Sequence, residues 1–202
     1  MLARAVSLLA LAPVAVALNN GFTKPEMGFN TWESWGCDIS EQKVHAAADA
    51  MVSKGLLAAG YSYLNLDDCW MAMERAPTVV AVNETLRLNN TLQAGMNFSS
   101  GMRALGKYIH GKNLKFGIYE SSGTKTCQSF AGTLGNEWID SHTFAAWEVD
   151  YVKYDDCYHE QFTEPTRYPG DMPPILRYPL MGQALNRTGR QMNYMCNFPW
   201  QL

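Results

Sequence analysis

Seven consecutive residues, YVKYDDC at 151–157, bring together one lysine, two adjacent carboxylates and a cysteine in an otherwise apolar setting. In an extended strand successive side chains point to opposite faces, so Lys153 and Asp155 project one way and Tyr154 and Asp156 the other. A lysine beside Asp155 favours the ionised carboxylate, the form a nucleophile requires. This reading selects Asp155 as the reactive group. It sends Asp156 to the layer behind the strand or to the start of the next loop. A Lys–Asp pair buried only for mutual compensation is the competing interpretation.

Further groups of the same chemical kind stand elsewhere. Asp67 and Asp68 close the run YSYLNLDD, and two carboxylates at a strand end can each accept hydrogen bonds from vicinal hydroxyls. Trp32 offers an apolar face to the C–H side of a sugar ring, and Tyr119 a phenol at the rim. Carboxylates and aromatic faces around one pocket suit a neutral polyhydroxy ligand, whose hydroxyls both donate and accept. Paired carboxylates also raise a metal reading. Neither an EF-type loop nor an H-x-x-x-H spacing accompanies them, and Lys153 adds positive charge, so no metal and no cofactor are expected.

The elements that must position these groups alternate along the chain. Strands are predicted over 27–32, 61–68, 115–121, 151–156 and 191–197. Helical spacing follows the capping signature Asp38-Ile-Ser-Glu41 up to Gly60, then recurs over about 102–111, 137–148 and, more weakly, 180–188. The stretch between the second strand and the 102–111 helix reads as a polar loop. Such alternation implies βαβ units and a parallel sheet. Trp32, Asp67-Asp68, Tyr119-Glu120, Lys153/Asp155 and Cys196-Asn197 all fall at C-terminal strand ends, which fits the active face of a (β/α)8 TIM barrel better than a single switch point of a doubly wound sheet. A full barrel takes about 250 residues, so about five βα units are expected here, as the N-terminal portion of a longer enzyme; a complete small α/β protein is the alternative.

Composition bounds the class. The chain has 202 residues, is 47% hydrophobic and carries a formal charge of -3 without a Lys/Arg run, which argues against a nucleic-acid partner. Residues 1–18 have the layout of a cleaved secretory signal, with Arg4, an apolar stretch and the small run Ala15-Val16-Ala17. Residues 19–202 are then the barrel portion of a secreted, extracellular protein, and no later segment is apolar enough to span a membrane. Four N-x-S/T sequons, at Asn83, Asn89, Asn97 and Asn186, agree with that route. Five cysteines imply two disulfides and one thiol over. Neighbouring strands put their loops side by side, so Cys37–Cys69 and Cys127–Cys157 are natural bridges around the pocket mouth, with Cys196 left to pair after a sixth strand or to stay a buried thiol.

The segments MGFNTWESWGC, YLNLDDCW, KFGIYESSGTKTC and VDYVKYDDC resemble, in order and spacing, the secreted fungal α-galactosidases (melibiases) of glycoside hydrolase family 27, over about residue 18 to the end. The resemblance implies a retaining glycosidase on a (β/α)8 barrel followed by a β-sandwich. It makes Asp155 the nucleophile. Asp67 and Asp68 would hold the galactose 4- and 6-hydroxyls, Trp32 would pack on the ring, and Tyr119 and Lys153 would complete the pocket. The family's disulfides correspond to Cys127–Cys157 and Cys37–Cys69. The second carboxyl that retention requires, about 5–5.5 Å from the nucleophile, lies after strand six in the family and so beyond Leu202. Three positions depart from the usual pattern: Asp156 replaces Asn or Gly, Glu120 replaces a smaller residue, and Cys196-Asn197-Phe198 replaces Cys-Glu-Trp where the sugar's C2 substituent is read. Asn197 can still donate and accept, which favours an α-galactoside or galacto-oligosaccharide as substrate. The alternatives are an α-N-acetylgalactosaminidase, or an inactive sugar-binding or unfolded fragment, and the 202-residue chain alone is expected to have negligible activity.

Overall fold

The structure is a computed structural model that describes residues 22, 24–82, 85–158 and 174–197. The predicted signal segment 1–18 and the sequon residue Asn83 lie outside them. In chain order the elements are β1 (Gly28–Asn30), α1 (Trp32–Trp35), α2 (Glu41–Ser53), β2 (Tyr63–Asn65), β3 (Ala76–Val82), β4 (Thr85–Thr91), α3 (Met102–Gly111), β5 (Lys115–Ser121), α4 (Glu137–Ala146), β6 (Tyr151–Asp155), α5 (Pro174–Arg187) and β7 (Asn193–Cys196).

Five strands form one sheet in the order β1-β2-β5-β6-β7, and every neighbouring pair is parallel. With helices between successive strands, this is the arrangement of the first βα units of a (β/α)8 barrel. Leu64, Phe116, Ile118, Val152 and Tyr154 on the strands are essentially inaccessible, as are Val44 and Ala48 on α2, Leu105 and Ile109 on α3, Phe144 on α4 and Met181 on α5. A strand covered on both faces reads as a continuous apolar run, as β5 does over residues 116–119. At Gly117 a Cβ would come within 1.9 Å of Asn65 Oδ1, so only glycine lets β5 lie this close to β2.

Three details depart from the sequence reading. The stretch read as a polar loop contains an antiparallel hairpin, β3 with β4, in the register Val82↔Thr85. The cap of α2 is Ser40, whose Oγ accepts from the Lys43 N–H at 3.3 Å; Asp38 instead pairs with the Lys43 ammonium at 2.7 Å. Helix α5 begins at Pro174, ahead of the predicted 180, and contains Pro179. Proline suits the first turn, and the single backbone donor lost at Pro179 is tolerated in a helix anchored by the buried Arg177, Tyr178 and Met181.

The two ends of the sheet differ. At the N-terminal end of β6, Asp150 accepts from the Phe116 N–H at 2.8 Å and lies 2.7 Å from both His110 Nε2 and Arg190 Nη2. Its charge is thus satisfied by neighbours. The C-terminal end carries the groups singled out above.

Candidate active site

Asp155 is the last residue of β6, and the burial pattern of that strand shows the expected alternation: Tyr151, Val152 and Tyr154 are buried, Lys153 and Asp155 half-buried. Its carboxylate is held from three sides. Oδ2 accepts from the Tyr119 phenol at 3.1 Å. Oδ1 accepts from Asn197 Nδ2 at 2.9 Å and from the Asp156 N–H at 2.9 Å. The strand register explains the first contact, because Tyr119 and Asp155 lie on neighbouring strands two residues apart on one face, with Tyr119↔Lys153 and Ser121↔Asp155 paired. Asn197 comes from the end of β7, whose last pair with β6 is Tyr154↔Cys196.

Lys153 shares the face of Asp155, as the alternation requires, but its ammonium is spent elsewhere. Nζ lies 2.7 Å from Asp67 Oδ2 and 5.0 Å above the Tyr119 ring. The lysine therefore bridges β6 to the end of β2 instead of forming the ion pair with Asp155 that its spacing suggested. Asn30 Nδ2 reaches the same Asp67 oxygen at 2.9 Å, while Asp67 Oδ1 accepts from the Asp68 N–H at 3.0 Å.

Asp68 is almost fully buried. Its oxygens accept the N–H groups of Cys69 at 2.7 Å and of Gln128 at 2.9 Å. Burial pushes its carboxyl above the ordinary range; hydrogen bonds from Thr126, Gln128 and Cys69 pull against it, and the neighbouring Asp67 charge adds to the rise. Burial and the Asp68 and Asp155 charges raise the Tyr119 phenol far above its ordinary value, so Tyr119 is a hydrogen-bond donor throughout the physiological range. Trp32 is half-buried, just past β1, and its backbone N–H donates to Asn30 Oδ1 at 2.9 Å.

Both expected disulfides are present, Cys37–Cys69 and Cys127–Cys157. The first joins the loops after the paired strands β1 and β2, the second those after β5 and β6. Cys69 has φ 76°, in the left-handed region. Gly123 lies against the other bridge, where a Cβ would meet the Cys157 carbonyl oxygen at 1.8 Å. Cys127 Sγ sits 3.5 Å from Asp155 Oδ2. Cys127, Asp155 and Cys157 converge closely enough to hold an ion, yet both sulfurs are committed to the bridge and offer no thiolate. Cys196 is an exposed free thiol. A cavity of about 510 Å³ between α5 and β7 is lined by Tyr178, Met192, Tyr194 and Cys196 among others; no carboxylate lines it, and it is not the site.

Sequence reasoning missed Asn30, Ser121 and Gln128. Asn30 was findable: an Asn two residues before a helix start commonly bonds the backbone N–H two positions on. Gln128 contributes only its backbone N–H and leaves no trace in residue type.

The family described as Alpha galactosidase A matches residues 24–202. The chain belongs to this family. Among α-galactosidases it is 42% identical to that of Coffea arabica over 169 residues, covering 83% of the present chain and 39% of the relative. It is 41% identical to that of Cyamopsis tetragonoloba, with 88% and 39% covered. The crystal structure of α-galactosidase I from Mortierella vinacea superimposes with a TM-score of 0.74 at 41% identity, over 89% of this chain and 42% of that one. The present chain thus spans about two-fifths of the length of these family members.

Proposed function

We propose that the protein is a secreted, retaining glycoside hydrolase that removes terminal non-reducing α-D-galactose from melibiose, raffinose-type oligosaccharides or galactomannan. One observation carries this reading: Asp155, Tyr119, Lys153, Asp67, Asp68 and Asn197 converge at the C-terminal ends of β2, β5, β6 and β7 in a member of the α-galactosidase A family. A solved relative from Saccharomyces cerevisiae, 36% identical with a TM-score of 0.68, is described as α-galactosidase with raffinose.

In this reading Asp155 attacks the anomeric carbon, the bond to the leaving oxygen breaks, and a covalent galactosyl ester forms. Water then cleaves the ester with a second inversion, so the configuration is retained. Tyr119 and Asn197 orient the nucleophile through neutral donors, which fix its position without cancelling its charge. Asp67 and Asp68 hold the 4- and 6-hydroxyls with their remaining lone pairs, Lys153 pairs with Asp67 and reaches the same hydroxyls, and Trp32 covers the ring. Cys127–Cys157 shapes the mouth, and Asn197 meets the C2 hydroxyl. The leaving oxygen takes its proton from the second carboxyl that retention requires, which the family resemblance puts after a sixth strand. Secretion is supported by the two disulfides, which persist in oxidising compartments, and by the exposure of the sequon residues Asn97 and Asn186.

The test is a 5-fluoro-α-galactosyl fluoride label followed by peptide mapping. Fluoride departs without protonation, so the label reports on the nucleophile independently of the proton donor. The expected result is one galactosyl adduct on Asp155. An adduct on Asp156, Asp67 or Asp68, or none on folded protein, would refute the assignment. Preference for an aryl α-N-acetylgalactosaminide over the aryl α-galactoside would replace galactose by its 2-acetamido relative.

A further inference from the structure

Asp156 adjoins the proposed nucleophile, yet its side chain is only 5% exposed and faces α5. There Arg177, with a side chain 0% exposed, places Nη1 2.7 Å from Asp156 Oδ1. The same Nη1 donates to Ser122 Oγ, and Ser122 Oγ donates to Asp156 Oδ1 at 3.3 Å. The guanidinium, hydroxyl and carboxylate thus close a triangle between α5, the end of β5 and the end of β6.

The backbone around this triangle is the backbone that aims Asp155. The Ser122 N–H donates to the Asp155 carbonyl at 2.8 Å. Ser121 Oγ accepts from the Cys157 N–H at 3.0 Å and lies 3.0 Å from the Cys157 carbonyl oxygen. Helix α5 is seated beside it through Tyr178, whose ring meets Tyr154 edge-on at 5.6 Å.

We infer that Arg177 is a positioning residue for the reaction: by compensating Asp156 inside the protein, it leaves Asp155 as the one carboxylate presented to substrate at the end of β6 and fixes the turn that aims it. This rests on Asp155 being the nucleophile. A buried carboxylate stripped of its partner is far costlier than the intact pair or a neutral replacement of both members. Without Arg177, Asp156 would turn toward water and carry residues 155–157 with it, or remain as a second anion beside the first.

That asymmetry gives the test, using Arg177→Met, Asp156→Asn and the double variant, each followed by thermal unfolding and by inactivation with 5-fluoro-α-galactosyl fluoride. Arg177→Met is expected to lower the maximal inactivation rate by roughly 30-fold while the inactivator concentration at half-maximal rate moves by less than about threefold. In the double variant, which removes both charges, the rate should return to within about threefold of wild type. If Arg177→Met does not fold, recovery of folded, labelled protein in the double variant supports the inference equally. A folded Arg177→Met that labels at the wild-type rate overturns it, as does a double variant no better than the single. Wild-type protein that takes no label overturns the nucleophile assignment and this role with it; coupled, non-additive unfolding of the two variants would still be seen then, which tells the two failures apart.

Discussion

Adjacent residues of the same two strands meet opposite surroundings. On one face of β5 and β6, Tyr119, Lys153 and Asp155 form a half-open array in which the Asp155 carboxylate is held by a phenol, a carboxamide and a backbone N–H. On the other face, Glu120 and Tyr154 are cross-strand partners sealed beneath the helices at 0% exposure. Glu120 accepts from the Thr133 hydroxyl at 3.0 Å and the Ser121 N–H at 3.1 Å. The guanidinium nearby, that of Arg75, is engaged by Asp140 and by the Gly132 carbonyl. Burial first, and then the Asp140 charge, push the Glu120 carboxyl well above its ordinary range. The contrast teaches that a carboxyl's role here follows from strand parity and from who covers it. The site face leaves a charge available to a ligand, whereas the helix face compensates or protonates it.

Substitutions can break this contrast. The largest effect is expected from Asp155→Asn, which should abolish galactosyl labelling. Its melting temperature should stay close to wild type, because a half-buried carboxamide keeps most of the same hydrogen bonds. A large loss of stability in that variant would place Asp155 among the structural carboxyls instead.

On the helix face the effect should be on stability. Arg75→Met leaves Asp140 buried without its cation and should cost roughly 3–5 kcal/mol in denaturant unfolding. An unchanged unfolding midpoint would mean that the buried pair is dispensable.

Lys153→Met, which strips the cation from Asp67, should raise the inactivator concentration at half-maximal labelling rate by roughly 10- to 100-fold, about 1–3 kcal/mol for a lost charged hydrogen bond. Equal loss toward a substrate lacking the 4- and 6-hydroxyls would show that Lys153 acts on Asp155 after all.

A pH dependence is the most diagnostic of the sealed face. Glu120 has a raised folded value, so its contribution to stability is fully present below the ordinary glutamate range and is lost as pH rises through the folded value. Over that window its retained proton costs about 1.4 kcal/mol per pH unit. Glu120→Gln should therefore track wild type near pH 4 and become progressively more stable than wild type above it. Parallel unfolding curves at pH 4 and pH 7 would refute the protonated state.

Much of the fold and part of the site are legible in the residues. The helix and strand periods locate every member of the five-stranded sheet, and the cysteines that follow neighbouring strands pair as their positions suggest. The hairpin β3–β4 was not legible. The sequence between the two strands has no glycine of the kind that marks a two-residue hairpin, and Asn-rich 85–91 reads as a loop. The Ser40 cap was obscured by Asp38, an equally good capping residue two positions earlier.

By itself the sequence determined the parity of each strand, and hence that Asp155 and not Asp156 shares a face with Lys153. That information is local, because successive side chains alternate whatever the strand packs against. Only the tertiary structure decided the partners. Lys153 meets Asp67 across 86 positions of sequence, and Asn197 meets Asp155 across 42. Arg177 enters from a helix beyond the 159–173 stretch to compensate Asp156. Ion pairs and hydrogen bonds are chosen by distances of about 3 Å, and those distances exist only once strand order and helix seating have been set by packing the whole core.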